Sequence, residues 1–311
     1  MTIFLEKINS LFPGGAIYSI IKESSNTFLL GLGLWDRENE PHTQIIKDQT
    51  PGQVVRIDSD NRILAKSPEL NNIIYQLQPL DDGRVFVGCR DSNTYYLNHD
   101  LTVNRKINIP CGGLYFWHKK GNNIIATMRS GGLIYFNLED DSCDVLPLVN
   151  SNVRMWALLL DSENIICGSY DGDLIWVKER KIIKKFMIEE KRNSIWAIEK
   201  FGNFYWVGTA NGNIYIFDRN LSNGKIVHQN KIGLKNSGIT CVTKYLDQLI
   251  FGDIHGNIHF FNPDFSVKDF DFNLKCKTPN TIWWIDSSPE QNLIRVAYCN
   301  GSLETFKVFV T

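Results

Sequence analysis

One short pattern recurs along the 311-residue chain and limits its fold more than any other feature. Four segments align directly: IICGSYDGDLIWVK (165–178), YWVGTANGNIYIFD (205–218), LIFGDIHGNIHFFN (249–262) and RVAYCNGSLETFK (295–307). Each is an apolar or β-branched run, a turn, and a second such run. The turn dipeptides, Asp-Gly, Asn-Gly and His-Gly, supply the positive φ that a tight hairpin needs. Weaker copies follow Arg129-Ser130-Gly131, Asp91-Ser92 and Pro51-Gly52, which brings the total to seven. Anchored on the second turn residue, the copies stand at 52, 92, 131, 172, 212, 256 and 301, at intervals of 40, 39, 41, 40, 44 and 45 residues. A period of about 40 to 45 residues with four strands per unit predicts an all-β, seven-bladed β-propeller, read as one domain over residues 1–311.

The remaining strands fit that frame. An apolar run precedes every hairpin and supplies strand one of each blade: 16–21, 73–77, 113–117, 153–160, 194–198, 238–242 and 281–285. RILAK (62–66), KIVHQ (225–229) and SVKDFDF (266–272) are assigned as outer fourth strands. The seventh unit leaves no room for a fourth strand before Thr311, whereas TIFLEKI (2–8) has no blade of its own. It is therefore placed as the outer strand of blade seven, removing an exposed edge. KERKIIKKFMIEEKRN (178–193) carries apolar residues at 182, 183, 186 and 187, a helical spacing, but the undisturbed repeat intervals on either side favour a strand. Residues 34–50 form an insertion in the hairpin of blade one, the kind of long loop on a rigid scaffold that often carries function.

GTANGNIYIFD (208–218) resembles the end of a WD repeat, with departures. The final Trp-Asp appears as Phe217-Asp218, Phe261-Asn262, Phe136-Asn137 and more distant pairs, and no Gly-His precedes strand one. The resemblance spans the chain in period and hairpin, and implies a WD-repeat propeller whose structural hydrogen-bond tetrad is largely absent.

Composition excludes several functions. Lys+Arg 33 against Asp+Glu 34 leaves a net charge of −1, so no global field draws nucleic acid or an anionic membrane. MTIFLEKINS is not a secretory signal, and no apolar run approaches the roughly 18 residues of a membrane span, so the expected location is cytoplasmic, with the nucleus open and no membrane partner. Seven cysteines without a C-x-x-C pair suggest neither disulfides nor zinc. The basic stretch from Lys178 to Lys185 reads as a solvated hairpin rather than a nucleic-acid track.

Catalytic and cofactor motifs are missing: there is no nucleophile elbow, Walker loop, calcium loop or HExxH helix, so neither a catalytic residue nor a cofactor is assigned. Asp253, His255 and His259 cluster about one turn, but are read as hairpin residues rather than metal ligands. The functional signal is positional. The same register of strand one holds Tyr18, Tyr75, Tyr115, Trp156, Trp196, Thr240 and Trp283, aromatic in six blades of seven. The WD-repeat resemblance implies that this register faces the channel mouth on the top surface, where it offers apolar pockets and ring faces for a cation. Packing between blades accounts for the aromatics equally well. The polar company on the same face tips the reading to binding: Arg154, Arg192, Asn193, Lys235, Asn236, Lys277 and Asn280 in the entering loops, and Arg90, Arg129, Tyr170 and His255 in the turns. The expectation is a non-catalytic module that binds a protein or peptide segment at the top face, as part of a larger complex. Two alternatives stay open: a lyase- or hydrolase-type enzyme at the same mouth, and single-stranded RNA binding.

Overall fold

The structure, a computed structural model, describes residues 3–34, 50–109, 112–188, 193–218, 226–231, 237–261, 272–277 and 280–310. These residues build seven four-stranded antiparallel sheets, the blades of a β-propeller. In blades one to six the strands lie in chain order, as in blade four: Met155–Asp161, Asn164–Ser169, Asp173–Lys178 and Lys181–Met187. Blade seven is composite. Ile282–Ser288, Leu293–Tyr298 and Leu303–Val310 are completed by Ile3–Leu11, paired from Ile3 opposite Val310 to Leu11 opposite Leu303. The N-terminal segment is thus the closing strand, and it runs three residues past the end of its apolar pattern at Ile8.

Turn chemistry sets the spacing. Gly131, Gly172, Gly212, Gly256 and Gly301 have φ of 84°, 94°, 85°, 79° and 84°, a region that side-chain-bearing residues avoid. Gly52 breaks the series. It opens the third strand of blade one, Gly52–Asp58, after the insertion, and pairs with Gly33 instead of forming a turn. Residues 35–49 of that insertion lie outside the described residues. The basic hairpin of blade four is a strand, as its repeat position requires. Glu179 and Arg180 form its turn, both at positive φ, and Arg180 pairs with Asp144 at 2.6 Å and stacks on Tyr135. In blade six the described outer strand is Phe272–Lys277, in a ladder from Asn257 opposite Lys277 to Phe261 opposite Phe272, and residues 266–271 of the segment assigned to it lie outside the described residues.

The described chain divides into two compact units, residues 1–115 with 280–311, and residues 116–279. Within each, the middle strands are buried on both faces, as in Val85–Cys89 and Gln248–Asp253, while outer strands such as Val103–Asn108 alternate between exposed and half-buried. Two-sided burial explains why the middle strands read as continuous apolar runs and the outer ones do not. Strand one of each blade runs beside strand one of the next within a unit: blades seven, one and two in the first, blades four, five and six in the second.

A small residue in strand two permits this approach. In the second unit Gly168 and Gly208 face Ile195 and Ile239, the leading strand-one residues of the following blades. In the first unit Gly31 receives Ile74 in the same way. Buried clusters form around these contacts, joining Ala157, Ile195 and Val207, and Ala197, Ile239 and Phe251. Each buried isoleucine contributes about 1.5–3 kcal/mol, so the blade seam is a main source of stability.

Candidate ligand-binding face

The aromatic register coincides with a repeated backbone irregularity. In blade four Met155 pairs with Ser169 and Ala157 with Gly168, leaving Trp156 as the extra residue of a β-bulge. The same skip occurs at Trp196, Thr240, Trp283, Tyr18 and Tyr75. A bulge leaves one residue out of the ladder and re-aims its side chain. Met155 and Ala157 therefore both turn into the core, and Trp156 is left half-buried between them. Trp196, flanked by buried Ile195 and Ala197, repeats this arrangement.

Within the first unit the register side chains touch one another. Ring centroids of Trp283 and Tyr18 are 5.9 Å apart, Tyr18 and Tyr75 5.4 Å at 88°, and Tyr75 and Tyr115 5.0 Å. This arc rests on Ala16 and Ile73. It is graded in exposure: Tyr115 and Tyr18 are buried at 1% and 8%, and Tyr75 and Trp283 are half-buried. Burial pushes the Tyr18 phenol above its ordinary range, nearby Cys299 adds to this, and Arg90 opposes it. Arg90 is itself buried, at the foot of the arc. The first unit thus supplies packed aromatic floor as well as half-open rings, and the choice between core and surface has a different answer at each position.

In the second unit Trp156 stacks near Phe116, centroids 6.2 Å apart, and its carbonyl accepts the Thr127 hydroxyl at 3.2 Å. Trp196 lies over Gly238. Thr240, the non-aromatic register residue, is buried and donates to the Gly252 carbonyl at 3.1 Å. Arg129 and Arg154 are half-buried, Tyr170 is 46% exposed, and His255 is exposed. Asn193 is buried and its side chain accepts the Asn211 N–H at 3.0 Å, a structural contact that holds one blade's entry loop to its turn. Asn280 is half-buried; Arg192, Lys235 and Asn236 lie outside the described residues.

No protein-family model and no curated protein matches the sequence. Solved structures do. The β-propeller domain of Cps50 (Swd1) from Myceliophteria thermophila superposes with a TM-score of 0.73 at 13% identity, covering 99% of this chain and 100% of that one. The WD40 β-propeller domain of Doa1 gives 0.72 at 11%, covering 97% and 96%. A chain of the mitotic checkpoint complex gives 0.75 at 12%, covering 98% and 92%. The fold is that of a WD40 β-propeller.

One blade of this WD40 propeller holds a buried polar network that pattern reading took for hairpin surface. The Asp253 carboxylate accepts from Asn257 at 2.7 Å, from the Ser237 hydroxyl, and from the N–H groups of His255 and Asn257 at 2.9 and 2.8 Å. His259 Nε2 lies 3.0 Å away, and both side chains are almost wholly buried. His255 contributes its backbone only, its side chain standing outside, so the three residues do not converge on one point. Burial raises the Asp253 carboxyl, but the hydrogen bonds of His259, Ser237 and Asn257 outweigh it and hold the group well below the usual carboxylate range. A folded-state value below the unfolded one stabilises at neutral pH, and that contribution is lost as pH falls below about 4. Asp253→Asn is therefore expected to flatten the acid limb of melting temperature against pH between about 6 and about 2.5. Parallel curves for variant and wild type would show that the network carries no proton-linked stability.

Proposed function

We propose that the protein is a non-catalytic recognition module that binds a protein or peptide segment on the face bearing the strand-one bulges, working in the cytoplasm within a larger complex. The observation that carries this reading is the bulge itself. At Trp156, Trp196 and Trp283 the ladder and the blade seam are completed by the flanking residues, yet a large aromatic is kept half-exposed. Partly accessible tryptophan, with arginine on the same turns, is the composition of interaction hot spots. The checkpoint-complex chain of like fold is a component of an assembly, which is consistent with a role among partners.

The reading is tested by isolating a partner through affinity capture and mass spectrometry, then titrating the purified partner against Trp156→Ala, Trp196→Ala and Trp283→Ala. Each variant should lose well under the roughly 3–5 kcal/mol of stability expected for a fully buried tryptophan. Affinity should fall by about 2 kcal/mol, near thirtyfold, for at least one of them. Variants that lose several kcal/mol of stability while binding the partner unchanged would make the aromatics inter-blade core and overturn the proposal.

A further inference from the structure

Several described arginines are matched by acids: Arg56 with Glu23 at 2.6 Å, Arg84 with Asp82 at 2.6 Å, Arg295 with Asp286 at 3.5 Å. Arg129 and Arg154 are the contrast. Both are half-buried, and neither forms an ion pair with any described residue. They belong to one stretch of the second unit. The turn that carries Arg129 is bound to the segment leading to Arg154, since Leu148 and Val149 donate N–H bonds to the Gly131 carbonyl at 3.0 and 2.9 Å. Space there is so tight that a Cβ on Gly131 would lie 2.5 Å from the Asn150 carbonyl oxygen. The Trp156 carbonyl is held from the same side by Thr127, two residues before Arg129. On the other side Tyr170 donates its N–H to the Arg154 carbonyl at 2.8 Å.

Two arginines without counter-charges among the described residues thus lie on chain segments bonded to one another and to the strand that carries the half-buried Trp156, and the segment of the exposed Tyr170 is bonded to Arg154. Of the acids in the same described turns, Asp173 is engaged by Lys185 at 3.1 Å, leaving Asp171 as the single carboxylate against two cations. We propose that this stretch selects an acidic peptide segment, with side-chain carboxylates received by Arg129 and Arg154 and a neighbouring apolar side chain set against Trp156. The planar guanidinium binds carboxylate in paired hydrogen bonds, and complementary charge across an interface sets specificity and encounter rate. The inference rests on the recognition reading above and adds the chemistry of the partner.

The test pans a randomised twelve-residue phage-displayed peptide library against the intact wild-type protein, against Arg129→Gln/Arg154→Gln, and against Trp156→Ala. The expected result is enrichment on wild type of sequences pairing Asp or Glu with an apolar residue, and loss of the acidic bias on the double arginine variant. A fluorescein-labelled peptide from the wild-type pool should bind each single arginine variant at least tenfold more weakly, and its affinity should fall as salt rises. An unchanged melting temperature confirms that the variants fold. Enriched sequences that show no acidic bias but are lost on Trp156→Ala would overturn the acidic assignment and leave the recognition face standing. No enrichment on wild type would overturn both.

Discussion

Gly168→Val is expected to cost at least about 3 kcal/mol of folding stability, because the new Cβ falls on the neighbouring blade rather than in open space. A Cβ at this position would overlap Ile195 Cγ2 and lie 2.6 Å from Ile195 Cβ. Neither atom is the end of a flexible chain, so relief needs movement of strand one of blade five. Gly208→Val repeats the experiment one seam further on, where Ile239 Cγ2 would be 2.5 Å away. The specific check is a double-mutant cycle in denaturant. Gly168→Ala and Ile195→Ala should each destabilise, and the double variant should lose less than the two separate losses together, since the space opened by one accepts the methyl of the other. Additive losses, or a Gly168→Val protein as stable as wild type, would show that the seam is not set by this close approach.

Removal of residues 1–11 is the second large effect, expected at about 5 kcal/mol with a new tendency to aggregate. The deleted strand forms the whole outer ladder of blade seven and contributes the Lys7–Glu304 ion pair at 3.2 Å. Its loss turns Leu303–Val310 into an unpaired edge, and Leu11 leaves the cluster that includes Ile17, Ala297 and Leu303. A synthetic peptide of residues 1–12 added in trans should raise the melting temperature of the truncated protein in a concentration-dependent way. An unchanged melting temperature after truncation, with no aggregation, would refute the role of this strand in stability.

The blade count and closure were legible because they depend on turn chemistry and on arithmetic. Glycines such as Gly172 and Gly212 mark places where the backbone leaves little choice, and a unit short of a strand asks for one elsewhere. The outer strands were harder. In blade four, Val177 pairs with Ile182 but Trp176 with Lys184, so Ile183 is the extra residue of a bulge. That insertion breaks the two-residue alternation and produces the helix-like spacing at 182, 183, 186 and 187. In blade six the signal is present but short: Phe272-Asn273-Leu274-Lys275-Cys276-Lys277 alternates strictly between apolar and polar residues, which 266–271 does not. At the candidate face, the register of Tyr18, Trp156 and their equivalents was visible, but not its cause. Consecutive apolar residues at Met155-Trp156-Ala157 and Ile195-Trp196-Ala197, in strands expected to alternate, are the trace of the bulge in the sequence. The strand-two glycines Gly168 and Gly208 went unread, since their need arises only when the next blade is in place. The turn position of Arg90 carries no local sign of its burial near Tyr18, which arises from the same kind of long-range contact.

The strand-one bulge separates two demands that a β-strand usually makes of one residue. Neighbours on either side satisfy the ladder and the seam, so the residue at the bulge is released from both, and the chain itself already places tyrosine, tryptophan and threonine there. Such a position behaves like a movable letter in a fixed frame of type. On the recognition proposed above, a protein built this way would rewrite its message one blade at a time, while the scaffold that presents it stays the same.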